Sequence, residues 1–586
     1  MLFSLAFRLL TLIKGIVFAL SKQRNVIPCL CLSLVLLTAC GGGGGSDPID
    51  SDNDGVLDVN DVDLDNDGLI EINDLQQLDW VRHNVEGTAR NDGAGTSSDA
   101  GCPTNGCNGY ELMSDLDFDT NGDSVMDIND TYFDYDNDGN NNGWLPIPAY
   151  ASNFDGNGHI IHNLFIDRPL ADAETNGRNI GLFASITKQQ IEIKNLRLMG
   201  GSVNGDEQVG GLAGGAGATS QSIYRNLHTD LSVNGSTKVG GLIGLGGVGV
   251  TIQQSSTSGT VMGNGDYIGG ILGWAAYSGI YDSETSASIT SSGHSIGGLV
   301  GFGIPVIIRG SIARGDVTGT DYVGGLVGRV IGPFNAEVSN SRAHGDVTAT
   351  NNYAGGLIGS IEDRVFVAQN YATGQVSGVD AVGGLAGSIN VTLPSTINPS
   401  IATLEGNFSV STVNASDDYV GGFIGISFNT ILTANFSTGS VNGDRFVGGF
   451  IGDANAGSVL RANFSTGLVT ANNDEGGLVG YSDSAEYIDN YFATDTSSQA
   501  NAIGTVFGAN NVGAATEVTA ATLAELQCPT TESSASCAAV MLYENWGGYI
   551  DANSDPYWDF GTTMQLPGLN INGTVFRDSN GDGTLD

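Results

Sequence analysis

Positive charge is scarce in this chain: 21 Lys and Arg stand against 64 Asp and Glu in 586 residues, a formal net charge of −43. A nucleic-acid binder gains affinity by releasing counterions from phosphates with Lys and Arg, so this balance argues against nucleic acid and favours cations. Proline is also sparse, at 13 residues, and no G-X-Y triplet recurs, which excludes collagen. The six histidines are His83, His159, His162, His228, His294 and His344. His159-x-x-His162 lacks the H-E-x-x-H spacing of a helical zinc site. No G-x-S-x-G elbow and no Cys–His nucleophile pair is present. No window keeps i, i+3, i+4, i+7 apolar spacing through the central region, so helices are not its building unit.

Glycine is what the chain has in excess: 88 residues, about 15 %, roughly twice average usage. Much of it sits in one recurring phrase. VGGLAG begins at Val209, VGGLIG at Val239, IGGILG at Ile268, IGGLVG at Ile296, VGGLVG at Val323, AGGLIG at Ala354 and VGGLAG at Val382. VGGFIG follows at Val420 and Val447, and EGGLVG at Glu475. The spacings are 30, 29, 28, 27, 31, 28, 38, 27 and 28 residues, with degenerate copies at Ile180 and Ile503. Between the phrases runs Asn-Ser or Asn-Tyr/Phe and then x-T-G-x-V-x-G, as in NFSTGSVNGDRFVGG. A period in this range marks a solenoid, propeller or array, and about twelve short-stranded units of ~28 residues point to an all-β, β-solenoid fold. Propeller blades need about 40 residues and four strands, which fits poorly. One unit buries too few aliphatic side chains, at about 1.5–3 kcal/mol each, to offset the cost of ordering it. Stacked coils share a core and ladder hydrogen bonds, and twelve give a rod on the order of 60 Å. In this reading Gly324 and Gly325 supply backbone angles closed to other residues at a corner. No copy of the phrase is followed by the Lys-Ser or Lys-Thr of a phosphate loop.

The phrase and its lead-in resemble the GLUG repeat of bacterial surface proteins, among them immunoglobulin-A-cleaving metallopeptidases. The segments GWLPIP…NFDGNGHIIHNLFID (143–167) and YWDFGTTMQLPGL (557–569) look like those that bracket such arrays. The resemblance implies a surface-exposed β-solenoid without implying protease activity, which belongs to a separate domain.

The N-terminus reads as a targeting segment. Arg8, Lys14, Lys22 and Arg24 precede an apolar run, Val26–Ala39, that ends in Leu37-Thr38-Ala39-Cys40. This resembles a bacterial lipobox, which implies cleavage before Cys40 and lipidation of its sulfur. Gly41 at the second mature position then favours the outer membrane and the cell surface. Removing residues 1–39 takes away four bases and no acid, leaving 17 − 64 = −47. Of seven cysteines, Cys29 and Cys31 leave with the signal. Cys102 with Cys107, and Cys528 with Cys537, remain as two close pairs, expected as local disulfides in an exported chain.

The sharpest chemistry lies in DSDNDGVLDVNDVDLDNDGLIEINDL (50–75). Asp50, Asp52, Asp54, Asp58 and Asp61 form one twelve-residue loop around Gly55; Asp63, Asp65, Asp67, Glu71 and Asp74 form a second around Gly68. A hard Ca²⁺ ion needs six to eight oxygens, and alternating aspartates around a glycine turn supply them. Aspartate rather than Glu at position 12, and missing flanking helices, make the pair resemble thrombospondin type 3 repeats rather than a sensor EF-hand. Weaker copies are Asp117, Asp119 and Asn121, then Asp134, Asp136 and Asp138, and finally Asp578, Asn580 and Asp582. After the first pair, Asp74–Val85 places Leu75, Leu78, Val81 and Val85 on one face of a short helix capping the solenoid.

The expected organisation is therefore a signal at 1–39, a glycine-rich lipid-anchored tether at 40–49 and the calcium segment at 50–75. An N-terminal cap with the first solenoid strands fills 76–179 and the repeats 180–508. A C-terminal cap covers 509–570 and an acidic tail 571–586. The expected role is non-catalytic: calcium-dependent adhesion to an extracellular glycan or protein. The first alternative is a polysaccharide-active β-helix enzyme, whose signature would be carboxylates at one phase of neighbouring repeats, where Asp316 and Asp346 stand. The second is the non-catalytic part of a larger secreted protease-like assembly. The longer unit containing 389–406 marks a loop where recognition would sit.

Overall fold

The computed structural model describes residues 49–586, apart from 173, 218–219, 392–400, 509–516, 528–541, 544 and 563. Cys40, Cys528 and Cys537 lie outside the described residues, as does half of the 389–406 loop. The chain winds into a β-solenoid whose successive coils pair in parallel. Stacking begins earlier than the sequence suggests: Ile70–Ile72, inside the acidic segment, pairs with Gly109–Leu112, which pairs with Asn153–Asp155. Among the described residues no helix is long and apolar enough to cross a membrane.

Each coil has three faces. The first carries the recurring phrase as eleven short strands, from Arg178–Ile180 to Asn473–Gly476. Its register superposes Ile180, Val209, Val239, Ile268, Ile296, Val323, Ala354, Val382, Val420, Val447 and Glu475. The degenerate copy at Ile503 does not continue this column. Ile503 pairs with Val479, so IGTVFG enters four residues late, on the second face. That second face holds the longest strands, such as Val327–Ser339 paired with Ile358–Ala368. The third face forks: Ser256–Gly263 pairs with both Glu284–Thr285 and Ser288–Ser291, and from there two parallel ladders run side by side along the stack.

The diglycine has a different cause from the one expected. Gly324 and Gly325 are not in the left-handed region. A Cβ on Gly324 would stand 2.0 Å from the carbonyl oxygen of Val327, and one on Gly325 2.1 Å from that of Gly356. Close backbone approach therefore demands glycine here, within a coil and between coils. The left-handed turn falls two residues before the diglycine, on a side-chain-bearing residue in eleven coils: Asn179, Gln208, Lys238, Tyr267, Ser295, Tyr322, Tyr353, Ala381, Tyr419, Phe446 and Asp474, with φ between 54° and 68°. This left-handed corner sets the direction in which those side chains leave the coil.

Aliphatic residues from all three faces fill one continuous core. At the corner before the third face, Asn370, Asn407, Asn435, Asn463 and Asn490 form a fully buried ladder, each amide 3.0–3.1 Å from the next. A ladder of this kind satisfies polar atoms that burial would otherwise leave stranded. On the outside of the third face, Tyr371, Phe408, Phe436 and Phe464 stack with centroids 4.7–5.1 Å apart.

Val518–Ala521 extends the third face beyond Asn490–Ala493, and the described residues after Leu542 pack against its flank. Trp546, Trp558 and Phe576 pack sideways over that aromatic row. Tyr557 donates to Glu405 and Asn545 to Asp489, extending the contact along the flank. A small antiparallel sheet of Trp558–Asp559, Gly568–Ile571 and Thr574–Phe576 organises this module and crosses the boundary drawn at 570. At the other end, the helix Leu75–Trp80, continued by the 3-10 turn Val81–His83, buries Leu75, Leu78 and Val81.

Candidate functional site

Five acidic loops share one backbone design. Numbering each from its first aspartate (Asp50, Asp63, Asp119, Asp134, Asp578), positions 4 and 6 are left-handed in all five: Asn53 and Gly55, Asn66 and Gly68, Gly122 and Ser124, Asn137 and Gly139, Gly581 and Gly583. In each, the position-6 N–H donates to the first carboxylate, at 3.2, 2.9, 2.7, 3.0 and 2.7 Å respectively. Asp54, Asp67, Asp123, Asp138 and Asp582 each accept from the backbone two residues on. Alternating side chains thus turn toward one centre, as oxygen coordination of a hard cation requires.

The third loop starts at Asp119, two residues later than its sequence pattern suggests. Asp117 instead accepts from Asn163 and from the N–H of Asp119, outside the loop. Position 5 is Asp123, and Asp130 closes the loop on the N–H of Thr120. The stretch N-G-D-S hides this register, because glycine stands at position 4 and serine where glycine stands in the other loops. Asp58, Glu71 and Asp586 close their own loops in the same manner, accepting from Ser51, Leu64 and Ser579. Asn580 accepts from Asp582. Asp74 is engaged elsewhere: it caps the helix Leu75–Trp80 by accepting from Gln77, 2.8 Å away.

Several carboxylate oxygens of the first loop stand without partners. Asp50 Oδ1, Asp52 Oδ2 and Asp61 Oδ2 are sealed from solvent and accept no hydrogen bond, and Asp61 is only 4 % exposed. Asp134 Oδ1 is in the same condition. One ligand oxygen from each of Asp50, Asp52 and Asp54 lies within 4.8 Å of the others, as do those of Asp63, Asp65 and Asp67, and of Asp134, Asp136 and Asp138. Burial pushes Asp63 up to about 6 and Glu71 up to about 7, with neighbouring aspartates adding to the rise. A positive charge placed among such groups would favour their ionised form and bring these values back down.

Of the two disulfides expected, the first is present: Cys102 and Cys107 are bonded beside the second loop, with Cys107 Sγ 3.5 Å from Asp63 Oδ2. It is the one disulfide among the described residues. The second, between Cys528 and Cys537, falls wholly within 528–541, outside the described residues, and stays an expectation.

Sequence reasoning about histidines and repeat carboxylates meets ordinary structural roles. His159 pairs with Asp115 at 3.0 Å. Asp316 and Asp346 accept from the backbone N–H of Asp346 and Gln375 in the next coils, a ladder at an exposed turn. Sequence reasoning misses another carboxylate column, two residues before the phrase, where Asp266, Asp321, Asp380 and Asp418 stand. Asp417, Asp418 and Asp444 bring oxygens within 4.8 Å of one another, and Arg445 pairs with Asp418.

Beside that column runs a row of half-exposed rings. Tyr322 and Tyr353 stack at 4.9 Å, and Tyr419 and Phe446 at 5.3 Å. Tyr267 meets Trp274 and Phe302, while Phe446 meets Tyr481. Arg329 lies over Tyr322 and pairs bidentately with Glu362 at 2.7 and 2.9 Å. The signal for these rings is present as D-Y-V-G-G, but only the left-handed corner shows that the tyrosines leave the coil.

No protein-family model and no curated protein matches the chain. Among solved structures it is similar to a candidate immunoglobulin A1 protease from Bacteroides ovatus, at 18 % identity over 60 % of this chain and 80 % of that one. The TM-score of 0.29 is too low for this likeness to carry any argument about function.

Proposed function

We propose that the protein is a calcium-stiffened β-solenoid acting at the bacterial cell surface, held to the outer membrane by lipid on Cys40 and binding an extracellular glycan or protein. The observation that carries the calcium reading is the set of solvent-sealed, unpartnered carboxylate oxygens of Asp50, Asp52 and Asp61 in one loop whose backbone recurs four more times. In this reading Ca²⁺ is held by Asp50, Asp52, Asp54 and Asp61, and by Asp63, Asp65, Asp67 and Glu71, with the Asp119, Asp134 and Asp578 loops as further sites.

The partner surface is the row of rings from Tyr267 to Tyr481 with its acidic fringe. Rings of this size dominate contact energetics while keeping a polar edge in water. The role is binding rather than catalysis. Titrating the mature chain with Ca²⁺ in a calorimeter tests the first part, and an absence of binding at millimolar calcium would sink it. A glycan and protein array probed with and without calcium tests the second, with the double variant Tyr322→Ala, Tyr353→Ala as the control that should lose signal. Release of new reducing ends from any bound polysaccharide would overturn the non-catalytic assignment. Palmitate labelling lost in Cys40→Ala tests the anchor.

A further inference from the structure

The first three rungs of the stack carry a column of carboxylates. Glu71 in Ile70–Ile72 pairs in register with Glu111 in Gly109–Leu112, and Glu111 with Asp155 in Asn153–Asp155. Parallel in-register strands set these residues about 4.8 Å apart along the stack. All three are buried, at 1 %, 3 % and 7 % exposure. Like charges so placed destabilise the fold unless each is compensated.

Two of the three have visible compensation. Asp155 meets the Lys194 ammonium at 3.0 Å and accepts from Asn157 N–H and Asn195 Nδ2. Glu71 accepts from the N–H of Leu64 at 2.7 Å, the bond that closes the second acidic loop. Glu111 is satisfied on one side alone: its Oε2 accepts from Asn157 Nδ2. Its Oε1 is sealed from solvent with no hydrogen-bond partner. The charges acting on it most strongly are Asp67, Asp65 and Glu71, all negative and all from the second loop.

We infer that Glu111 is a ligand of the cation in the second loop, so that Asp65, Asp67, Glu71 and Glu111 form one composite site for a divalent, oxygen-seeking ion of the calcium class. Asp63 contributes less as a ligand, because both its oxygens already accept backbone N–H groups from Asp67 and Gly68. An ion held by the loop and by the second rung together staples the acidic segment to the solenoid. Binding at the loop then orders the start of the stack as well as the loop. This rests on the calcium reading of the loops and extends it to a residue with no acidic-loop motif around it.

The test uses the full mature chain, Glu111→Gln and Asp65→Asn, with Ca²⁺ alone as the probe. Glutamine keeps the size of the side chain and an oxygen for Asn157, and far-UV circular dichroism checks that the fold survives. Calorimetry should show one site weakened by at least about tenfold in Glu111→Gln, the same site weakened in Asp65→Asn, and the other sites unchanged. Hydrogen exchange should show calcium protecting 109–112 in the wild type and failing to do so in Glu111→Gln, with Glu111→Asp intermediate. Wild-type affinities and wild-type protection of 109–112 in Glu111→Gln would overturn the composite site while leaving the loops as calcium sites. No calcium binding by the wild type would remove the loop reading itself.

Discussion

At the scale of single residues, the solenoid is fixed by side chains that cannot be replaced without disturbing a neighbouring coil. Asn435 shows this best. Its amide donates to the carbonyls of Leu404 and Thr433 and to Asn463 Oδ1, and its oxygen accepts from the N–H and Nδ2 of Asn407. Asn435→Ala leaves buried donors and acceptors unmet on both adjacent coils and should cost about 1–3 kcal/mol for each group stranded. Hydrogen exchange in 407–409 and 463–465 would report it. Gly325→Ala should be as damaging for a steric reason, since its Cβ would meet the Gly356 carbonyl, whereas Gly548→Ala enters open space. Limited proteolysis that cuts both variants equally would contradict this. Much at this scale is legible in the sequence: the diglycine stands out by repetition, as does the Asn at the third-face corner of five successive coils. What repetition does not reveal is whether a glycine is kept for its backbone angles or for its missing Cβ. That distinction depends on the distance to the next coil, which no single repeat contains.

At the scale of elements, the acidic loops are readable from D-x-D-x-D-G because every determinant is local. The third loop reads in the wrong register because glycine stands at position 4 and serine takes the glycine's place at position 6. Glu111 is invisible, since Y-E-L carries no loop signal and only strand register brings it to Glu71. The same pairing yields a pH prediction. Burial pushes both Glu71 and Glu111 up to about 7, from an ordinary 4.5, and Asp63 up to about 6, from 3.8. A raised carboxyl favours the folded state while protonated, so its contribution is complete below about pH 4 and is lost as pH rises through 6 to 7. Calcium acts with the opposite sign, because it takes the deprotonated groups. In EDTA, protection of Ile70–Ile72 and Gly109–Leu112 should fall between about pH 4.5 and pH 7.5. In millimolar calcium that fall should vanish or reverse. Identical pH profiles in the two buffers would exclude the coupling. The C-terminal module is the counterexample in legibility. Its tryptophans cover the flank, which no local pattern announces, because the row Tyr371–Phe464 becomes one apolar stripe only after the coils stack. Trp558→Ala should uncover that stripe and raise binding of a hydrophobic dye without altering the strand content seen by circular dichroism.

At the scale of the whole molecule, each coil touches chiefly its neighbours, so stability is a sum over coils and their interfaces rather than the property of one centre. Register is then the quantity the molecule protects. Glu284 pairs with Ile312 and Ser283 N–H donates to Ser311 Oγ, so residues 284–311 form one complete turn between equivalent positions. Excising 284–311 joins Ser283 to Ile312 in phase, and the cut ends should meet as the excised coil met its neighbours. Excising only 284–308 leaves three extra residues and turns core valines and isoleucines toward solvent, because a strand's side chains alternate between faces. The in-phase deletion should keep the circular dichroism spectrum per residue and melt within a few degrees of the parent. The out-of-phase deletion should expose the stack on both sides of the cut to protease. Equal behaviour of the two would mean that coils fold independently of their neighbours, and the unbroken register from Ile180 to Glu475 would then have no energetic basis. The acidic segment at one end and the lateral module over coils 371–491 lie far from this cut in sequence. Calcium binding and dye exclusion should therefore survive it, which separates loss of register from general unfolding.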